Sequence, residues 1–200
     1  LARTLSVFGE GAGQPLDAVV FDYIKVAAYV DGKAIPFAPH GKAYSLAQPL
    51  AWIIEKRALG TWQFVYRMNA VAGLRFDPDL SDNEDMVFIL RFLARHPVCA
   101  HLEGALYAYC QSPNSVCRKS LSLSTFKSRF RAIEECWQAF SAASPVEKNI
   151  LRHDLFPGLV HDYWKQIRKR IPDASVRTIA FRMAAQATLR CYRSHLIGFR

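Results

Sequence analysis

The feature that most constrains the fold is a change in the hydrophobic period between residues 62 and 110. Aromatic and polar residues alternate over Trp62 to Met68, which favours a strand with one face toward a cleft. Apolar residues then recur every three or four positions from Asp82 to Arg95, which predicts an amphipathic helix. Two short strands are expected next, at Val98 to His101 and Ala105 to Cys110, around a turn at Glu103-Gly104. This order of strand, helix and strand is typical of an α/β layer.

The flanking segments extend this pattern. The run Asp17 to Tyr23 predicts an interior strand, and Leu46 to Leu59 predicts a helix that is ended by Gly60. From Ser124 onward the periodicity is helical, with helices expected over residues 125–142, 145–169 and 174–197 and a break near Pro157-Gly158. We therefore predict an α/β portion over residues 1–123. A helical extension follows over residues 124–200.

An acidic pair, Glu84 and Asp85, falls in the first turn of the helix predicted from Asp82. Ser81 and Glu84 fit a capping box, and this local chemistry favours capping as the main role of Glu84. Asp85 is not needed to close that box, and the helix dipole favours its ionised form. Because an ionised carboxylate facing a cleft can accept a proton from a hydroxyl group, Asp85 is the candidate general base.

Three short motifs follow one another along the chain: Trp62-Gln63-Phe64-Val65-Tyr66-Arg67, Glu84-Asp85, and Tyr107-Ala108-Tyr109 with the loop Ser112-Pro113-Asn114-Ser115. Their order and spacing resemble the acceptor-side half of a family 2 glycosyltransferase of GT-A fold. The resemblance implies that residues 1–123 form a partial GT-A-like mixed sheet with flanking helices. The resemblance covers residues 17–120. It implies inverting transfer of a sugar from a nucleotide-sugar donor to a glycan or lipid-linked acceptor. In that reading Asp85 is the general base, with Glu84 beside it.

The same resemblance implies roles for further side chains. The acceptor site would be lined by five of them: Trp62, Tyr66, Arg67, Tyr107 and Tyr109. For Trp62 and Tyr66, ordinary core packing is an equally weighted alternative. Ser115 and Arg118 would lie over the donor diphosphate, where cations stabilise the leaving charge. The alternative for this loop is a solvated basic segment, which applies more to Lys119 than to Arg118.

One part of the family pattern is not found before Asp17: the Pro-x-Tyr-Asn segment and the Asp-x-Asp that binds the metal and the sugar nucleotide. The sequence Asp77-Pro78-Asp79 has the form of an Asp-x-Asp, but we interpret it as loop chemistry because Pro fixes a turn that Asp tolerates. The divalent cation that the resemblance implies (Mg²⁺ or Mn²⁺) therefore has no expected ligand set here. Since no initiator Met is present, we expect a fragment or a processed chain. Because the donor half and its metal site are not found, we expect this chain to be inactive alone.

Positive charge is concentrated in the last third of the chain. Residues 1–126 carry 12 Lys/Arg and 11 Asp/Glu, whereas residues 127–200 carry 14 and 6. No acidic residue follows Asp173. Such helices could bind an anionic membrane surface or a partner protein, and the sequence favours these two binding partners equally. Nucleic acid is a much weaker candidate, because no helix-turn-helix or RNA-binding motif occurs. The competing hypothesis is therefore a non-catalytic α+β interaction module that docks through these helices.

The cysteine pattern and the hydropathy indicate the cellular compartment of the protein. The five cysteines are odd in number and include no Cys-x-x-Cys, so we expect reduced, mostly buried thiols and no protein-ligated zinc. A bridge between Cys110 and Cys117 stays open as an alternative. No apolar run reaches the roughly 18–20 residues that span a bilayer. We expect a cytoplasmic protein, peripheral on the inner face of the cell membrane if the basic helices bind lipid.

Overall fold

The computed structural model describes residues 15–26, 42–110, 121–194 and 196. In these ranges the strands are β1 (Ala18–Val26), β2 (Ala43–Ser45), β3 (Phe64–Tyr66) and β4 (Cys99–Cys110). The α-helices are α1 (Pro49–Lys56), α2 (Glu84–Leu93), α3 (Leu123–Ala139), α4 (Pro145–Ile150), α5 (Phe156–Arg170) and α6 (Ala174–Arg193). The sequence also predicts the end of a helix over residues 1–8 and a loop over residues 33–45. The first lies outside the described residues, as does most of the second.

The four strands form one mixed sheet in the order β2-β4-β1-β3. The central strands β1 and β4 run parallel, while β3 pairs with β1 and β2 pairs with β4 in antiparallel fashion. Helices follow the sheet in sequence from Leu123 onward. The predicted coarse architecture, α/β with a mixed sheet followed by a helical extension, is therefore confirmed.

The prediction of two short strands after Pro97 is wrong, because residues 99–110 form the single strand β4. The glycine that suggested a turn instead marks a bulge: Gly104 has a φ of 108°, in the region that favours glycine. Across this bulge β4 advances from Leu102 to Tyr107 while β1 advances only from Phe21 to Tyr23. The strand therefore continues parallel to β1 beyond the irregularity.

The chain divides into two compact units. The sheet unit comprises residues 1–74 and 95–119, and the helical unit comprises residues 75–94 and 120–200. The chain passes from the sheet unit into the C-terminal helices between residues 119 and 120, close to the boundary predicted at residue 123. Helix α2, however, belongs with the C-terminal helices and packs against α3. The units are described separately below.

Each unit has its own apolar interior. In the sheet unit, one buried cluster contains Leu16, Val19, Phe21, Ala100 and Leu102, with Val65 and Val98 packed against it. In the helical unit, the buried side chains of α2 are Met86, Val87, Ile89, Leu90, Phe92 and Leu93. The helical periodicity predicts Phe88 in the same buried stripe, but Phe88 is only half-buried and stacks on Phe76 with ring centroids 4.6 Å apart.

Several helix ends differ from the prediction. Helix α1 ends at Arg57, which adopts the left-handed conformation (φ 53°), so Gly60 is not its cap. Helix α3 begins after Ser122, whose hydroxyl accepts a hydrogen bond from the backbone N–H of Thr125 at 3.2 Å. The expected break near Pro157 is instead a π-helical segment, Leu151–Leu155, between α4 and α5. Pro157 is the second residue of α5, directly after this segment.

Among the helices that the structure describes, none combines the length and the apolar character needed to cross a membrane.

Candidate functional site

Four aromatic side chains of the sheet unit form one cluster around Trp62. The Trp62 ring stacks on Tyr107 with centroids 4.8 Å apart and lies 5.1 Å from Tyr109. Tyr23 meets the edge of Trp62 at 4.8 Å and lies 6.3 Å from Tyr109. We name Tyr23, Trp62, Tyr107 and Tyr109 the aromatic cluster. It brings together three of the five side chains predicted for the acceptor site.

The bulge in β4 places these tyrosines. Its extra residues bring Tyr107 into register with Tyr23 of the neighbouring strand, and Tyr109 follows on the same face, as the strand period of two requires. Trp62 reaches the cluster from a 3₁₀ turn, Thr61–Gln63, rather than from the predicted strand, which covers only Phe64–Tyr66.

The cluster is not a closed core. Tyr107 is 37% exposed, and Tyr23, Trp62 and Tyr109 are half-buried. Trp62 lies tightly against the backbone, because a Cβ added at Gly60 would come within 2.5 Å of its Nε1 atom. The backbone at Gly60 therefore restricts the position of the Trp62 ring, while each ring of the cluster keeps part of its surface exposed.

Tyr66 and Arg67 make contacts of another kind. Tyr66 stacks on Phe64, its neighbour on the same face of β3, at 5.4 Å. The Arg67 Nε atom donates a hydrogen bond to the backbone carbonyl of Leu16 at 2.8 Å, and its backbone N–H donates to the carbonyl of Asp17 at 2.8 Å. These contacts hold β3 to the segment around the start of β1, so Arg67 has a structural role that the sequence reading missed.

The sheet unit contains a polar pair, His101 and Asp22, that was not predicted. The Nε2 atom of His101 lies 3.1 Å from a carboxylate oxygen of Asp22, and the other oxygen accepts a hydrogen bond from the Gly104 N–H at 3.2 Å. The His101 ring also packs on Trp52, with centroids 4.6 Å apart. Asp22 thus fastens the bulge that positions Tyr107. The available signal was a charged residue inside an otherwise apolar strand.

In the helical unit, the acidic pair lies in the first turn of α2, with both side chains half-buried. The predicted capping box is wrong: Asn83, not Ser81, is the N-cap residue, and it adopts the left-handed conformation with a φ of 66°. Glu84 is the first residue of the helix, so the expected reach back to Ser81 does not occur. Both carboxylates still lie where the helix dipole favours negative charge.

The loop before α2 is fixed by a buried serine. The hydroxyl of Ser128 on α3 accepts hydrogen bonds from the backbone N–H groups of Ser81, at 2.9 Å, and Asp82, at 3.2 Å. Asn83 donates from its side-chain amide to the hydroxyl of Tyr163 on α5. Burial is the main cause that raises the pKa of Tyr163, so its hydroxyl stays protonated at neutral pH. The residues preceding the acidic pair are therefore tied to two helices.

A buried arginine completes this arrangement. Arg129 on α3 donates from Nε and Nη2 to one carboxylate oxygen of Asp82, at 3.0 and 2.7 Å, and from Nη1 to Gln166 at 2.8 Å. Its guanidinium lies 5.5 Å from the ring centroid of Phe126 and 5.1 Å from that of Tyr163. Sequence reading missed this arginine, because an Arg within a helix normally faces solvent.

The Asp77-Pro78-Asp79 segment fits the loop interpretation. The Asp77 carboxylate accepts the backbone N–H of Asp79 at 2.9 Å, and both carboxylates lie near Arg131, at 3.2 and 3.4 Å. Carboxylates paired with arginine do not resemble a cation site. Among the described residues no group of three or more His, Cys, Asp or Glu side chains could hold a metal ion. The part of the chain that the structure describes therefore offers no ligand set for the implied cation.

The remaining predicted residues, Ser115 and Arg118, lie outside the described part of the chain. Cys99, Cys136 and Cys191 are buried free thiols, as expected, whereas Cys117 and the side chain of Cys110 are not described. Comparison of the sequence with models of known protein families gives no match, and comparison with curated proteins gives none either.

Proposed function

We propose that this chain supplies the acceptor site and the general base of an inverting glycosyltransferase of GT-A fold. The observation that carries the proposal is the aromatic cluster around Trp62. A stacked pair of partly exposed aromatic rings suits the apolar C–H face of a sugar, and the hydroxyls of Tyr107 and Tyr109 suit its oxygens. The acceptor would be a glycan or a lipid-linked sugar.

In the proposed reaction Asp85 takes the proton of the acceptor hydroxyl. The acceptor oxygen then forms a bond to the anomeric carbon from the face opposite the nucleotide. The bond from that carbon to the diphosphate oxygen breaks, and the nucleotide leaves with the electron pair. The half-buried position of Asp85 in the first turn of α2 supports this role, because a general base must lie within reach of the hydroxyl proton on a rigid element.

The donor side of this proposal rests on the sequence resemblance. Ser115 and Arg118 would lie over the diphosphate, and a divalent cation would neutralise charge on the donor nucleotide. Since the described residues do not fit that cation, its ligands would come from elsewhere in the active protein. The chain is proposed to act at the cytoplasmic face of the membrane.

The test is nucleotide release from a panel of UDP-, GDP- and CMP-sugars by the entire product of the gene. We expect Asp85→Asn to lower the rate by roughly 10³-fold or more if Asp85 is the base. Asp79→Asn is the matched control in the same unit, because the Asp79 carboxylate is exposed and paired with Arg131. Equal rates for wild type and Asp85→Asn would remove Asp85 from the mechanism. A loss with Asp79→Asn would return the Asp-x-Asp to consideration as a metal site.

The aromatic cluster is tested by acceptor kinetics. Trp62→Ala should raise KM for the acceptor while leaving KM for the donor unchanged, because the stacking surface is lost. Trp52→Ala is the matched control, since Trp52 is also half-buried in the sheet unit but packs on His101. If both substitutions change the acceptor KM equally, the cluster is not a specific sugar platform.

A second candidate function is a non-catalytic α+β interaction module. The observation that favours it is the excess of basic residues after residue 126, with four arginines and no acidic residue in α6. If no sugar nucleotide binds to the entire gene product, this candidate takes the place of the enzyme.

A further inference from the structure

Helix α6 buries small side chains and exposes two large aliphatic ones, while Phe181 stacks on Trp164 of α5. Its buried residues are small: Ala180, Ala184, Ala187 and Cys191. Its large aliphatic side chains point outward, with Ile179 46% and Leu189 47% exposed. A helix that only served the protein core would place the larger side chains inside, where their burial stabilises the fold. The outer face therefore calls for its own explanation.

The outward residues lie on one stripe. Positions 179, 182, 186, 189, 190 and 193 follow one another at helical spacing, and five of them carry an apolar or a cationic side chain. We name these five residues the outer stripe: Ile179, Arg182, Leu189, Arg190 and Arg193. Its three arginines are exposed, and α6 has no acidic residue that would neutralise them.

The stripe continues onto α3 through a groove. The groove between α3 and α6 has a volume of about 470 Å³ and is lined by Phe126, Phe130 and Met183, among others. Lys127 and Arg131 of α3 line the same groove as Arg190, so two further cations lie beside the stripe, with Glu134 as the acidic residue of the lining. Of these two, Arg131 is paired with Asp77 and Asp79. The outer stripe is thus apolar and cationic together, and further cations lie along the groove beside it.

We propose that the outer stripe of α6 docks on the surface of a bilayer that contains anionic phospholipid. Arginine side chains would meet the lipid phosphates, and Ile179 and Leu189 would enter the boundary between headgroups and acyl chains. An interfacial helix combines these two kinds of residue on one face, and its binding depends on both. A nucleic acid or an acidic protein would match the charges but would leave the two exposed aliphatic side chains unused.

This proposal does not depend on glycosyl transfer, because its readout is lipid binding alone. The experiment is co-sedimentation of the chain with vesicles of phosphatidylcholine and with vesicles that also contain phosphatidylglycerol. We expect binding to the anionic vesicles, weakened by added salt, and little binding to the neutral ones. Equal binding to both vesicle types, or to neither, would overturn the proposal.

Two variants separate the contributions of the stripe. Arg182→Gln with Arg193→Gln should weaken partitioning by roughly 25-fold, because each cation near such a surface contributes about fivefold. Ile179→Ala with Leu189→Ala should weaken binding several-fold while keeping the preference for anionic lipid. Both pairs introduce good helix formers at exposed positions, so α6 should remain folded, as circular dichroism would verify.

The matched control removes the same charge elsewhere. Lys56 on α1 and Lys165 on α5 are exposed, and Lys56→Gln with Lys165→Gln should leave partitioning within about twofold. If this control loses as much affinity as the arginine pair, net charge rather than the outer stripe governs binding, and the proposal fails. Preferential capture of RNA over anionic vesicles would overturn it as well.

Discussion

The guanidinium of Arg129 donates two hydrogen bonds to a single carboxylate oxygen of Asp82, at 3.0 and 2.7 Å, across 47 positions of sequence. Arg129 is buried, whereas Asp82 keeps partial contact with solvent. The pair joins the loop that leads into α2 to the body of α3. The start of α2, and with it the acidic pair, is therefore held by a charged contact as well as by apolar packing.

Removal of the Asp82 carboxylate should strongly destabilise the helical unit. Asp82→Ala leaves the Arg129 cation buried without its counter-charge, and breaking such a pair costs roughly 3–5 kcal/mol. Chemical denaturation followed by circular dichroism would measure the change. Asp79→Ala is the comparison: its partner Arg131 is exposed, so the free energy of unfolding should change far less. Equal losses of unfolding free energy for the two variants would mean that burial of Arg129 does not increase the contribution of its pair with Asp82.

Substitution of Gly60 should disturb the aromatic cluster. A Cβ at this position would lie 2.5 Å from Nε1 and 2.7 Å from Cε2 of Trp62, so the indole must move. Gly60→Ala should therefore change the near-ultraviolet circular dichroism and weaken acceptor binding. Gly158→Ala is the matched control, since nothing lies within 4 Å of its added Cβ. Gly158 lies within α5, so this control should raise the stability by about 0.5–1 kcal/mol.

The buried thiols should resist alkylation in the native protein. Burial raises the pKa of Cys99 to about 12, assisted by Asp17, and that of Cys191 to about 11, assisted by Glu134. Because the thiolate is the reactive form, iodoacetamide at neutral pH should leave Cys99, Cys136 and Cys191 unmodified and should label all three in denaturant. Peptide mapping by mass spectrometry distinguishes the sites. Rapid native labelling of Cys191 would show that α6 opens locally.

Because the N-cap residue of α6 is Asp173, the stability of the protein should depend on pH in the acid range. Hydrogen bonds from the Ser175 hydroxyl and the Val176 N–H lower the pKa of Asp173 below its ordinary value of 3.8. The charged form is therefore favoured in the folded state, and its contribution is complete above the unfolded-state pKa. It is lost as the pH falls through the lower folded-state pKa.

Thermal unfolding of wild type and Asp173→Ala measures this contribution. The variant should melt at a lower temperature at neutral pH, and the two melting temperatures should converge in strong acid. Asp173→Asn retains a capping side chain but no charge, so it should be more stable than Asp173→Ala at neutral pH. A difference that stays constant down to strong acid would contradict the assigned role of the charge.

Local pattern was a sound guide to which elements form. Strand β1, helix α2 and the C-terminal helices all lie where the hydrophobic periodicity places them, because burial of an apolar face dominates in each. The pairing of the strands was harder to predict from the sequence. The Glu103-Gly104 dipeptide correctly indicated an interruption, but a turn and a bulge require the same backbone freedom of glycine. Only the parallel partner strand β1 decides between them.

The candidate site was predictable to a similar extent. The period of two placed Tyr107 and Tyr109 on one face, and both contact Trp62. Tyr23 joined them only through the register that the bulge creates. The start of α2 was misread because a Ser-x-x-Glu pattern is locally sufficient for a capping box. Long-range hydrogen bonds to Ser128 and Tyr163 favour a left-handed Asn83 instead, and no local pattern encodes those partners.

The insertion of α2 into the sequence of the sheet unit has a consequence for dissection of the protein. The chain leaves the sheet unit after Leu74 and returns at Arg95, so no single cut separates the two units. Expression of residues 1–123 alone would present the apolar face of α2 without α3 to cover it. A protease nick near residue 120 should instead yield two fragments that stay associated and co-purify, since α2 holds one fragment to the other.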